Sequence, residues 1–346
     1  MSPKIQIDPN LPADTVWFIT GCSSGIGKAL AQEIFTKTTH FLIPTARNPS
    51  SLTYLPQSPR ILPLSLDVTS ASSIRDALNA SLATFKHIDI LVNNAGYGIL
   101  GDTENVPEES ARKVFETNFW GAVNLSKEAV RIFREVNGEK GGLVVQISTV
   151  GGVVAFGGQA FYHARYYFFV ILIFILTHSL TYSVIQKPQA RKPPNNANSK
   201  FALEGFTESL SHEVPPSWNI RFLIIQPGGV RTNYGTSSLV KIPAHPAYSD
   251  TSFGTRKLEA FFDNPAFGDY MADVNVVAGI IVEAVMGERR GEVGLRVPVG
   301  PDSWSFIKGK YEEELVGLEE VRGLSWKTGN EKLLEVIGFL DEEKGM

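Results

Sequence analysis

The stretch Val16 to Phe35, VWFITGCSSGIGKALAQEIF, constrains the fold more than any other part of the chain. An apolar run breaks into a glycine-rich turn and resumes with helical spacing, so it reads as strand, loop and helix. Gly21, Gly25 and Gly27 carry no Cβ, which lets the backbone turn tightly, take positive φ and bring N–H groups to an anion at the positive end of the helix. A pyrophosphate fits such a loop, and with it a dinucleotide. The spacing Thr20-Gly21-x-x-x-Gly25-x-Gly27 is not the commonest dinucleotide fingerprint, GxGxxG, and a Gly/Ser-rich turn without a ligand would look the same.

At 346 residues the chain has room for two domains, but doubly wound sheets reach this size as one unit, so one domain with appendages is expected. Hydrophobic residues make up 43% of it, enough for a sizeable core, and a formal charge of −4 leaves no footprint for nucleic acid or an anionic membrane. A small-molecule partner is expected instead. The single cysteine, Cys22, forms no internal disulfide, and MSPKIQIDPNLPADT lacks the basic start and apolar centre of a secretory signal. A cytoplasmic location follows as the expectation, and no metal site is expected.

Taken in order, the chain alternates. HFLIPTA (His40 to Ala46) and RILPLSL (Arg60 to Leu66) read as buried strands. Ser70 to Phe85 has one helical apolar face and a serine-rich entrance. IDILV (Ile88 to Val92) runs into Asn93-Asn94-Ala95-Gly96. A helix over Ala111 to Val136, a strand over Gly142 to Ile147, a helix over Phe201 to Val214 and a strand over Ile220 to Ile225 continue the pattern. Such alternation implies a Rossmann-like, doubly wound parallel α/β sheet in a single domain, with ligands at the carboxyl ends of the strands.

From about Thr15 to Thr232 the chain resembles a classical short-chain dehydrogenase/reductase. The likeness rests on TGxxxGIG at Thr20 to Gly27, Asp67, Asn93-Asn94-Ala95-Gly96, Asn118, Ser148-Thr149 and Pro227-Gly228, all in the family's order. The resemblance implies hydride transfer between a nicotinamide and a carbonyl or alcohol, with Tyr162 as acid/base. A phenol near pKa 10 works at neutral pH only if a cation stabilises its phenolate. The family's substrate-binding serine stands thirteen positions before the tyrosine; here that is Thr149, with Ser148 one step earlier as the reserve. Asn118 resembles the asparagine that holds a helix irregularity. For the cofactor, the resemblance implies contacts from Thr20, Gly21, Ser23, Ser24, Gly25, Ile26 and Gly27 in the phosphate loop. It adds Asp67, Asn94, Ala95 and Gly96 around adenine and ribose, Tyr162 and Lys200, and Pro227, Gly228, Val230 and Thr232 at the nicotinamide.

The family's YxxxK is split. Four residues after Tyr162 stands Tyr166, and Ser199-Lys200-Phe201-Ala202-Leu203 resumes the pattern only after Arg165 to Asn198. Excising those 34 residues restores the motif with Lys200 as its lysine. The insertion opens with eleven consecutive apolar or aromatic residues, YYFFVILIFIL, too few to span a bilayer. Translated non-coding sequence, a retained intron, is the favoured origin over a membrane hairpin and over a lid or oligomerisation loop. It gives no firm evidence of membrane attachment, and homo-oligomerisation stays open.

The end of the second strand offers Thr45-Ala46-Arg47-Asn48 and no carboxylate. An arginine there accommodates the 2′-phosphate, so NADP(H) is favoured over NAD(H). The segment 233–273 is expected to cover the substrate. A helix over Val274 to Met286, a strand over Gly294 to Val299 and a surface helix over Lys310 to Arg322 follow, the last within a C-terminal extension, 300–346. Two function classes stand: an NADP(H)-dependent oxidoreductase interconverting a ketone or aldehyde and an alcohol, or a catalytically impaired nucleotide-binding protein whose insertion separates Tyr162 from Lys200.

Overall fold

The computed structural model describes residues 11–163, 199–235, 237–286 and 293–338; the expected insertion, 165–198, lies outside the described residues, as does the end of the C-terminal extension. In chain order the elements are β1 (Val16–Ile19), α1 (Gly25–Lys37), β2 (Phe41–Ala46), β3 (Leu64–Ser65), α2 (Ala71–Phe85), β4 (Ile90–Asn93) and β5 (Gly98–Leu100). Then come α3 (Glu108–Phe115), a π-helical turn (Glu116–Trp120), α4 (Gly121–Glu135), β6 (Gly142–Ile147), α5 (Ala160–His163), α6 (Ser199–Glu213) and β7 (Ile220–Pro227). β8 (Leu239–Lys241), α7 (Gly254–Asp263), α8 (Val274–Met286), β9 (Arg296–Val299), α9 (Pro301–Ser325) and α10 (Lys332–Val336) complete the chain.

Seven strands form one parallel sheet in the order β3-β2-β1-β4-β6-β7-β9, and β5 pairs with β8 in a separate two-stranded ribbon. The direction of winding reverses between β1 and β4, which opens a crevice at their carboxyl ends. Alternate residues of β1 point to opposite faces. Trp17 and Ile19 enter a core with Leu30 and Ile34 of α1 and Ile281 and Val285 of α8. Val16 and Phe18 pack on the other face with Leu78 of α2 and Leu125, Ile132 and Phe133 of α4. The Rossmann-like fold expected from the alternation is the one observed. Among the described residues no helix is long and apolar enough to cross a membrane.

Three elements differ from the sequence reading, each for a local reason. The third strand is two residues long rather than seven, with one further bridge between Leu42 and Ile61. Phe41 donates its N–H to Thr15 beside β1 and Leu42 donates to Arg60 on the β3 side. Pro44 falls on the β3 side by that alternation and has no N–H to give, so the ladder lapses there. The expected helix 111–136 is two helices joined by the π-helical turn that contains Asn118. The C-terminal helix starts earlier than Lys310, because Gly300 at φ +104° turns the chain and Pro301 suits the first helical turn.

One turn on the sheet's amino side carries a direct test. Gly141 sits at φ 62°, ψ −138°, a region reserved for glycine, and a Cβ there would lie 2.0 Å from the Asn219 carbonyl oxygen. Gly141→Ala should therefore lower stability by on the order of 3 kcal/mol in urea unfolding. A loss under about 1 kcal/mol would mean that the turn can relax and does not fix β6 against β7.

Candidate active site

The crevice at the carboxyl ends of β1 and β4 continues into a cavity of about 1500 Å³. That exceeds the few hundred to about 1,000 Å³ typical of a site for one small ligand, so it has room for two reactants side by side. One end is the glycine loop. Gly21 and Gly25 take φ of +71° and +58°, where side-chain-bearing residues are strained. Ser24, at the N-cap of α1, makes no side-chain cap bond, which leaves the first-turn donors of the helix directed at the cavity that Ser23, Ser24, Gly25 and Ile26 line. These residues fit a dinucleotide pyrophosphate.

Two predicted contact residues lie behind this wall instead of on it. Thr20 Oγ1 accepts the N–H groups of Asn94 and Ala95, each at 2.9 Å, while Asn94 Nδ2 donates to the carbonyls of Thr20 at 2.9 Å and Gly21 at 3.1 Å. Gly27 packs beneath, where a Cβ would stand 2.4 Å from Asn94 Nδ2. Asn94, Ala95 and Gly96 do line the cavity. So do Arg47, exposed at the end of β2, and Asp67, whose carboxylate accepts Thr69 N–H at 2.9 Å and Thr69 Oγ1 at 2.7 Å. Those hydrogen bonds, helped by the Arg47 charge, hold the Asp67 carboxyl below its ordinary range.

Tyr162 from α5 and Lys200 from α6 line the same cavity, although they are far apart in sequence. Lys200 Nζ donates to the Ile147 carbonyl at the end of β6 at 2.8 Å. Burial pushes the Tyr162 phenol up to about 12, opposed by a hydrogen bond from Tyr234. Burial brings the Lys200 ammonium down to about 8, opposed by the carboxylate of Glu204 one helical turn on. At neutral pH the lysine is still charged. Asn118 is 1% exposed and does not line the cavity. Its Oδ1 accepts Tyr97 N–H at 3.0 Å, and its Nδ2 donates to Tyr97 O at 2.9 Å and Ser199 Oγ at 3.1 Å. It staples the β4–β5 loop to the start of α6, next to Lys200.

Ser148 and Thr149 both line the cavity but have different partners. Ser148 is 5% exposed, and its hydroxyl donates to Glu204 Oε1 at 2.6 Å. Thr149 Oγ1 makes only a longer bond to Pro227 O, 3.3 Å, and accepts Gly151 N–H at 3.4 Å. Pro227, Gly228, Val230 and Thr232 form the opposite wall. Asp302, from the first turn of α9, reaches over to accept Gly229 N–H at 2.6 Å.

Several residues of this site carry no family motif and escaped the sequence reading. Beneath Ser148, Glu204 holds Gln226 Nε2 at 3.1 and 2.9 Å and pairs with Arg296 at 3.0 Å. The four-residue spacing of Glu204 from Lys200 is the one signal that could have raised it. Beside Tyr162, Tyr234 accepts Gln159 Nε2 at 3.1 Å. Its place two residues after Thr232, at the start of the expected covering segment, was the available clue.

The buried ammonium makes stability depend on pH. Between about 8 and the ordinary 10.5 the unfolded chain holds a proton that folded Lys200 has released, so this group's penalty is full below about 8 and fades as pH rises. Lys200→Met lacks the penalty. Its stability relative to the unaltered chain should decline by about 3 kcal/mol across that window in denaturant titrations, and a flat difference would show that the lysine is not desolvated.

A family model described as "short chain dehydrogenase" matches residues 15–173. Oxidoreductase calM of Penicillium decumbens is 37% identical over 329 residues, covering 94% of this chain and 96% of that protein. Among solved structures, a short-chain dehydrogenase from Streptomyces avermitilis superposes with a TM-score of 0.71 at 28% identity, covering 92% of this chain and all of that one. More distant neighbours, under 25% identical and so informative about fold alone, include proteins solved with NADH, with NAD and with NADP. A likeness that runs nearly the full length of both chains, on the same fold, makes this chain a member of the short-chain dehydrogenase/reductase family.

Proposed function

We propose that the protein is an NADP(H)-dependent oxidoreductase that interconverts a ketone or aldehyde and an alcohol, with Tyr162 as its acid/base. The observation that carries this reading is the meeting of Tyr162, Lys200 and Thr149 in the cavity that begins at the glycine loop. A nicotinamide dinucleotide, held by the loop and the Pro227 to Thr232 wall, would supply the hydride chemistry. In the reducing direction Tyr162 gives its phenolic proton to the substrate oxygen, and in the oxidising direction takes it back. The positive charge of Lys200 lowers the cost of the phenolate. Thr149 orients the substrate oxygen, since the Ser148 proton is already engaged by Glu204. Asn118 acts at one remove by fixing Ser199 and hence the first turn of α6.

Arg47 supports the choice of NADP(H), because a guanidinium at the end of β2 suits a ribose 2′-phosphate. The neighbouring solved structures divide between both cofactors and do not favour either. Arg47→Asp should weaken NADPH binding by about 2 kcal/mol and shift preference toward NADH. Equal affinity ratios in titrations of both cofactors, before and after the change, would reject the assignment. The compartment we propose is the cytoplasm, on the compositional grounds given above.

The acid/base role is tested on the full chain by NADPH oxidation with a panel of ketones and aldehydes. Tyr162→Phe should lower kcat by at least about a hundredfold while NADPH affinity stays the same. Turnover that survives this change would sink the role of the phenol. A chain that binds NADPH tightly yet reduces no carbonyl would point instead to the nucleotide-binding reading.

A further inference from the structure

The cavity has a second half whose chemistry differs from the cofactor end. From the ring of Tyr162 an unbroken series of aromatic contacts leads outward. Tyr162 to Tyr234 is 5.9 Å between centroids, Tyr234 to Phe262 is 6.1 Å, Phe262 to Phe267 is 5.3 Å and Phe267 to Phe261 is 5.2 Å. All four residues beyond Tyr162 come from the segment 233–273, and all line the cavity. Facing rings come from Phe156 and Phe306, 5.9 Å apart. Phe261, Phe306 and Tyr270 are 42%, 53% and 71% exposed, so the aromatic wall continues to the mouth. Leaving such rings in water is unfavourable unless an apolar partner covers them.

Charge is absent from the same wall. Among the described residues, the cavity-lining part of segment 233–273 contributes no charged side chain; the cations that line the cavity, Arg47, Lys113 and Lys200, come from other segments. Several charged groups elsewhere on the covering segment are tied together, while Lys257 lines a smaller neighbouring pocket with Phe156 and Phe261 and is not part of the main cavity lining. Arg256 binds Asp102 at 2.9 Å and Glu259 at 3.1 Å, Lys241 pairs with Asp263, and Asp273 pairs with Arg231 at 2.9 Å. Along the rings of Tyr234, Phe262 and Phe267 an anionic substrate would therefore meet no counter-charge from the covering segment in the cavity lining. The polar pair Gln159 and Tyr234 sits at the inner end, beside the reacting phenol.

We infer that the substrate is a neutral carbonyl compound with a planar aromatic or conjugated body, its oxygen held at Tyr162 and its body laid along the rings of Tyr234, Phe262, Phe267 and Phe261. Small hydrophilic sugars and phosphorylated or carboxylated ketones fit poorly, having no apolar surface to cover the rings or a charge that meets no partner. The inference rests on the oxidoreductase reading, but it concerns what the cavity holds and so can be separated from catalysis.

The test measures binding and turnover separately on the full chain with NADPH present. Equilibrium dialysis of 2-acetonaphthone, a neutral planar ketone, is compared with dihydroxyacetone and with acetoacetate. Acetonaphthone should bind at least about a hundredfold more tightly than either, and Tyr162→Phe, which keeps the ring and loses only the hydrogen bond to the ketone oxygen, should weaken that binding by no more than about tenfold. Phe262→Ala should weaken it about tenfold, the order expected for loss of one aromatic packing partner, with Phe262→Leu intermediate and NADPH affinity the same. Comparable or tighter binding of acetoacetate or dihydroxyacetone would overturn the assignment, as would a Phe262→Ala variant that binds NADPH normally and acetonaphthone undiminished. Acetonaphthone bound tightly but never reduced would count against catalysis while upholding the substrate class. Polar carbonyls reduced without any binding of acetonaphthone would do the reverse.

Discussion

The structure of the site depends on one hydrogen-bonded clamp across the point where the sheet reverses its winding. Thr20 follows β1 and Asn94 follows β4, and each satisfies the other's backbone with its side chain. Without the clamp, two adjacent loops at the carboxyl edge would hold buried or half-buried N–H and C=O groups with no partner, at a cost of about 1 to 3 kcal/mol each. With it, the glycine loop is fixed against the Asn94 loop, and the packing is so close that Gly21 and Gly27 cannot carry a Cβ: the added atom would come within 2.9 Å of Ala95 Cα and 2.4 Å of Asn94 Nδ2. These glycines serve two ends, positive φ for Gly21 and space for Gly27. The cavity wall, which Gly21 and Asn94 line, and the assembly of the two loops therefore draw on the same residues.

A second consequence concerns the split tyrosine–lysine pair. In an uninterrupted helix, four residues' separation puts two side chains on one face with no further help. Here the two residues belong to α5 and α6, and their approach is secured by contacts from outside those helices. Asn118 holds Ser199, and the carbonyl of Ile147 holds the Lys200 ammonium. The π-helical turn matters for this reason, since it lets a helix that starts at Glu108 present the Asn118 amide inward to both Tyr97 and Ser199 before α4 continues. Tertiary contacts thus hold Lys200 in the cavity that Tyr162 also lines.

Legibility in the sequence followed the physics of each segment. β1, β6 and β7 were readable because they are apolar runs buried in the middle of the sheet, and α1 because its apolar residues recur at helical spacing. The glycine loop was readable because a tight turn with positive φ calls for glycine, and Lys200 because excising 165–198 restores the family's YxxxK spacing. The third strand was over-read because apolarity says nothing of hydrogen-bonding capacity, and Pro44 removes a donor that the pattern does not register. Spacing favoured Thr149 over Ser148, but it could not show that the Ser148 hydroxyl donates to Glu204, 56 residues away. The aromatic half of the cavity was hidden for a similar reason. Phe261, Phe262 and Phe267 look like ordinary core residues until α7 and the turn after it bring them to the lining of the cavity.

Glu204 also explains how a lysine can be buried in the site. Burial lowers the pKa of the Lys200 ammonium, and the carboxylate of Glu204 one turn along the same helix opposes that shift. A carboxylate alone there would be just as costly, and Arg296 and Gln226 hold it from the far side. Arg296 is in turn shared with Glu208, nearer the surface, so the chain of charges runs from Lys200 to solvent with each sign answered by the next. The balance is incomplete, which is why the lysine still lies near 8 rather than at its usual value. Because Glu204 is shared with Arg296 and Gln226, it offsets the Lys200 charge only in part. The residue that makes the buried cation tolerable thus also limits how completely it is cancelled.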